Sequence, residues 1–101
     1  MTSQEASYFY QLILMFETAA LQQLGKLINP LTGKIEKDLG QAKFSIDMLG
    51  MIEEKTKGNL TPEERGYLQR VLAQLRLNYV EEANKAKSES SASETKEDKT
   101  T

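Results

Sequence analysis

"YFYQLILMFETAALQQLGKLI", Tyr8 to Ile28, is the most apolar stretch of this chain, and what covers it decides the fold. Placed at helical steps of about 100° per residue, its polar positions gather into one narrow strip. That strip is Gln4, Ser7, Gln11, Thr18, Gln22 and Gly25. Phe9, Tyr10, Leu12, Ile13, Leu14, Phe16, Ala19, Ala20, Leu21, Leu24, Leu27 and Ile28 fill most of the remaining circumference. A surface helix of a monomeric bundle needs an apolar stripe only about 100° wide. This helix is therefore expected either at the centre of the fold or shared with a second chain. A bilayer span of ~20 apolar residues would also fit by length. However, Gln11, Glu17, Gln22, Gln23 and Lys26 interrupt it. A single central Glu costs roughly 2.5 kcal/mol or more on insertion, so integral membrane insertion is not expected.

Outward from this stretch, the sequence predicts three helices, at about 3–28, 39–57 and 62–86, in an all-α helical bundle. The first opens on Thr2-Ser3-Gln4-Glu5, a capping-box pattern, and is expected to stop before Asn29-Pro30, because the residue before a proline leaves the α region. Residues 29–38 form a turn-rich loop punctuated by Asn29, Pro30 and Gly33. Asp38, with Gln41 three residues on, opens the second helix, and Gly58 ends it in the left-handed conformation. Thr61-Pro62-Glu63-Glu64 is the strongest start signal in the chain: an N-cap, a proline at the first helical position and two acids at the positive end of the helix dipole. Residues 1–86 make one helical domain. Residues 87–101, low in apolar side chains and rich in Ser, Thr, Glu and Lys, read as a disordered acidic tail.

The apolar faces of the later helices are narrower. Leu68, Val71, Leu72, Leu75 and Tyr79 form one stripe on the third. On the second, Ala42, Ser45, Ile46, Leu49 and Ile52 form a main stripe, and Phe44, Met48 and Met51 a second one. A folded part of roughly 80 residues is near the size at which one core is marginal alone. Together with the wide arc on the first helix, this predicts completion of the bundle by homo-oligomerisation, most simply a two-fold dimer. The expected interaction surface is Phe9, Ile13, Phe16, Glu17, Ala20, Leu24, Leu27, Phe44, Met48 and Met51.

Composition narrows the chemistry. The 101 residues carry 13 bases and 15 acids and contain neither His nor Cys. The commonest zinc ligands and the commonest neutral-pH general base are thus missing, as are disulfides. Glu53-Glu54, Glu63-Glu64 and Glu81-Glu82 read as helix charge and capping, since di-metal bundle sites pair Glu with His. Glu17, alone in the apolar arc, is either a carboxyl with a raised pKa or, more in keeping with its surroundings, a structural acid paired with a base from another helix or chain. Arg65, Arg70 and Arg76 follow the turn at Gly58, but so sparse a basic set beside Glu63 and Glu64 does not predict nucleic-acid binding. No nucleophile–base pair, phosphate loop or metal motif is present, so no enzyme activity, cofactor or metal is expected. The start of the chain has no positive region ahead of its apolar run and does not read as a secretory signal.

"EEKTKGNLTPEE", 53–64, also carries a resemblance, together with "LILMFETAALQQLGKL" before it, "PLTGKIEKDLGQAKFSIDML" in the middle and "LAQLRLNYVE" after it. Over about residues 8–82 the chain resembles a family of short bacterial proteins, the domain-of-unknown-function family eighteen forty-four. Lys55 to Glu64 is its most specific piece, and the turn Pro30 to Gly33 a second. The resemblance implies a cytoplasmic, bacterial, helical protein, implies no activity, and gives Glu17 no family-wide role. The expected function is a non-catalytic oligomerisation or protein-interaction module. The alternative is a peripheral membrane protein that lays its first helix in the interface, a role for which the polar strip, with Lys26 alone beside it, carries little basic charge.

Overall fold

Caps formed by glycine, threonine and aspartate divide the chain into three helices in the computed structural model, which describes the backbone of residues 3–100 and side chains as far as residue 89. The helices are α1 (Ser3–Gln23), α2 (Leu39–Lys55) and α3 (Pro62–Thr100). All three pack against one another around a single core.

α1 ends earlier than Asn29-Pro30 predicts. Gly25 takes φ +81°, the Gly25 N–H donates to the Gln22 carbonyl at 3.0 Å, and the Lys26 N–H reaches the Leu21 carbonyl at 2.8 Å. Those two bonds define a Schellman C-terminus, which a residue without a Cβ closes at no steric cost. The glycine of the polar strip is thus the stop signal, and Leu27 and Ile28 leave the helix. The following turn is tight. Asn29 donates its N–H to the Lys34 carbonyl at 2.8 Å and accepts from the Gly33 N–H at 2.8 Å, with Gly33 at φ +70°.

Asp38 caps α2 as predicted, its carboxylate accepting from the Gln41 N–H at 3.1 Å. Its own N–H goes to the Gln23 carbonyl at 2.7 Å instead of to a Gln41 side chain, which ties the start of α2 to the end of α1. α2 closes on Thr56, whose hydroxyl and N–H both return to the Ile52 carbonyl, and Gly58 takes the expected positive φ. The capping box of α3 is complete: Glu64 Oε1 accepts from the Thr61 N–H at 2.8 Å, and Thr61 Oγ1 accepts from the Glu64 N–H at 3.2 Å. The expected capping role of Thr2 lies outside the described residues.

The helical backbone of α3 runs past Ala86 to Thr100, across most of the segment that composition reads as disordered. No Gly or Pro follows Gly66, so nothing in the covalent chain interrupts the ladder.

The core is Phe9, Ile13, Ala20 and Leu24 from α1 and its cap, Ala42, Ile46, Leu49 and Ile52 from α2, and Leu68, Val71, Leu72 and Leu75 from α3. α2 and α3 approach closely at Gly50, where a Cβ would stand 3.1 Å from the Arg76 guanidinium. A hydrogen bond of 2.7 Å between the Ser45 hydroxyl and the Gln23 side-chain amide lies in the α1–α2 seam.

Candidate functional site

The three-helix arrangement settles where each expected interface residue lies. Phe9, Ile13, Ala20 and Leu24 are buried in the chain's own core, and Phe16 is half-buried against it. Within the chain, α2 and α3 cover them. Leu27, Phe44 and Met51 are exposed, and Met48 is partly so.

Glu17 is half-buried and turns toward α3, where it meets Tyr67. Burial, the Glu17 charge and a hydrogen bond to its carboxylate together push the Tyr67 phenol above its usual range, while Arg70 nearby pulls the other way. Tyr67 also stacks edge-on against Tyr10, with ring centroids 5.2 Å apart. The neighbour of Glu17 on α3 is therefore a tyrosine of its own chain.

A second surface joins the expected Phe44, Met48 and Met51 of α2 to Tyr8, Leu12 and Met15 of α1. On α1, Tyr10 points at α3 and Gln23 at α2. At about 100° per residue, Tyr8, Leu12, Met15 and Ala19 fall beyond Gln23, roughly opposite Tyr10. On α2, Ser45 faces α1 and Gly50 faces α3, and Phe44, Met48 and Met51 fall on the far side of Ser45 from Gly50. Both stripes border the α1–α2 seam on the side that α3 leaves open. Their exposure is high for large apolar side chains: Met15 67%, Tyr8 59%, Phe44 58%. Between Ala6 and Gly25 the one charged residue is Glu17, which is turned away, so beyond Glu5 the α1 half of this face is free of charge. On α2 the Lys43–Asp47 pair, 2.7 Å apart, lies outside the apolar stripe, and Lys55 stands at its C-terminal end. Met15 reads from sequence as a core gap-filler. Only the side on which α3 packs distinguishes it from Phe16, and that is a long-range property.

Elsewhere the polar groups serve the fold. Glu82, buried on α3, pairs with Lys26 at 3.3 Å and Lys37 at 3.4 Å from the α1–α2 connection, and with Lys85 at 3.6 Å. Burial would raise this carboxyl, but the hydrogen bonds and charges of Lys26 and Lys37 outweigh it and hold the group below the usual carboxylate range. Glu64 is equally buried; its Oε1 is used in the cap, and its Oε2 has no protein donor. A cleft of about 330 Å³ between the end of α2 and the first turns of α3 is lined by Glu53, Thr56, Lys57, Gly58, Leu60, Arg65 and Gln69. Among the described residues, no three His, Cys, Asp or Glu side chains are placed to hold a metal ion, and no helix is long and apolar enough to cross a membrane.

Comparison with known proteins adds the family and no more. The chain matches the model of the domain of unknown function DUF1844 over residues 6–81, and it belongs to that family. No curated protein and no solved structure is detectably similar to it.

Proposed function

We propose that this domain is a non-catalytic helical module that self-associates, pairing the open α1–α2 face of one copy with that of another. The observation that carries this reading is the exposed apolar face built by Tyr8, Leu12, Met15, Phe44, Met48 and Met51, with charge, Glu5 and Lys55, only at its end. Depletion of charge with retention of aromatic and Met side chains is the composition of an interface core. Large exposed apolar patches mark interaction sites.

Size supports the same reading. Two helices of about 25–30 Å lying ~10 Å apart present a face of roughly 600 Å², close to the ~800 Å² per partner of a standard stable interface. A face whose middle carries no charge also meets its own copy across a two-fold axis with little like-charge penalty. Such a dimer is a four-helix layer of two α1–α2 pairs, with each α3 on the outside.

Association is expected at micromolar concentration by light scattering. Met15→Glu or Phe44→Glu, each placing a charge in the contact, weakens it roughly a hundredfold or more while leaving the chain folded. Assembly unaffected by both substitutions would overturn the assignment of this face. Cytoplasmic placement accords with the reading, since the interface needs no lipid.

A further inference from the structure

Sulfur is distributed unevenly in this chain. It has four methionines and no cysteine. Apart from Met1, every one of them lies on the open α1–α2 face: Met15 on α1, and Met48 and Met51 one turn apart on α2. Met15 is 67% exposed, Met51 is exposed and Met48 partly so. The core, by contrast, is built from Phe, Ile, Leu, Val and Ala alone. A reagent that attacks thioethers therefore meets its targets on the face and finds none in the core. The face has little with which to receive a new polar group. Of the side chains that build it, only Tyr8 carries a hydrogen-bonding atom, and its hydroxyl already accepts from Gln4 Nε2 at 2.8 Å.

We propose that Met15, Met48 and Met51 are oxidation sites through which a peroxide turns self-association off; this rests on the pairing of copies through that face. The sulfurs are open to the reagent whenever the copies are apart. With hydrogen peroxide, a sulfur lone pair takes one oxygen, the O–O bond breaks, and the other oxygen leaves as water after proton transfer. Sulfur is oxidised by two electrons and the peroxide is reduced by the same two. The product is a sulfoxide, polar where the thioether was apolar and adaptable. Re-forming the contact would bury up to three strong acceptors per copy against a surface that offers one hydroxyl. An acceptor buried without a donor opposes burial, so each sulfoxide weakens pairing about tenfold or more. The fold is spared, because the core holds no sulfur, and reduction of the sulfoxides restores the surface.

The test treats the full chain with hydrogen peroxide at micromolar protein. Sulfoxides are located by peptide mass spectrometry, mass is read by light scattering and helicity by circular dichroism. The untreated chain should scatter as two copies. The treated chain should carry sulfoxide at Met15, Met48 and Met51 and scatter as one copy with its helicity intact. Methionine sulfoxide reductases should bring the pair back. The triple variant Met15→Leu, Met48→Leu, Met51→Leu keeps the face apolar and should stay paired through the same treatment. A treated chain that still pairs, sulfoxides absent from the three positions, helicity lost on oxidation, no recovery on reduction, or a triple variant that comes apart under peroxide would each overturn the proposal. An untreated chain that scatters as one copy would remove the self-association itself, and that result is in hand before peroxide is added.

Discussion

α1 carries two apolar stripes that look alike in sequence and end in opposite environments. Phe9, Ile13, Ala20 and Leu24 are closed in by α2 and α3, whereas Tyr8, Leu12 and Met15, on the same helix, are left to solvent. Hydrophobicity does not separate them. The position of α3 does, since it takes one side of the α1–α2 pair and leaves the other. Burial within one chain makes the first stripe the source of stability. The second has no such partner, and the excess apolar surface of the helix is there.

The largest test of this contrast is truncation on the two sides. Ile13→Ala or Leu24→Ala removes a side chain with no exposed surface and is expected to lower unfolding free energy by about 2–5 kcal/mol. Met15→Ala, measured by denaturant melts at concentrations low enough to keep the chain monomeric, should change it by less than about 0.5 kcal/mol. Equal losses on both sides would erase the distinction. A smaller effect concerns the cap that ends α1. Gly25→Ala forces a Cβ into a φ of +81°, 3.2 Å from Lys37 Cε, and should cost about 1–2 kcal/mol, where an ordinary helical Gly→Ala would stabilise. Thr61→Ala, which removes the hydroxyl that accepts from the Glu64 N–H, is expected to cost about 1 kcal/mol in the same assay.

The weakest handle is pH. The carboxyl of Glu82 is held below its unfolded value, so the stabilisation it gives is present above the ordinary Glu range and is lost as pH falls through the folded value. Melting temperature should therefore drop on the acid side, and Glu82→Gln should flatten that part of the profile. An unchanged acid limb in Glu82→Gln would mean that other carboxylates set it.

Much of this architecture is legible in the chain, for physical reasons that differ from element to element. Thr61-Pro62-Glu63-Glu64 and Gly58 act within a few residues of themselves, and the structure builds the cap and the positive φ that they encode. The stripe on α3 from Leu68 to Leu75 is equally local, a single periodicity with one reading. Gly25 is the instructive miss. It can serve as one more small residue on a polar strip or as the C′ of a Schellman motif, and Asn29-Pro30 offers a competing stop a few residues later. The Leu21 and Gln22 carbonyls, which accept from Lys26 and Gly25, decide it. The open apolar face was harder still. An arc that is apolar almost all round does not say which part of it the chain's own helices will cover. Gly50 against Arg76 and Tyr10 against Tyr67 fix that choice, through contacts between residues far apart in sequence. Phe44 and Met51 were identifiable because α2 is amphipathic enough to show a second stripe. Met15 was not, because its neighbours on α1 are as apolar as it is.

The central claim, that the open α1–α2 face pairs two copies of the chain, is tested most directly by the mass of the full chain in solution. Light scattering at micromolar concentration should give about twice the 11.4 kDa of one chain, and the mass should fall to that of one chain in Met15→Glu with its helical circular dichroism intact. A wild-type chain that scatters as a monomer at those concentrations would contradict the account.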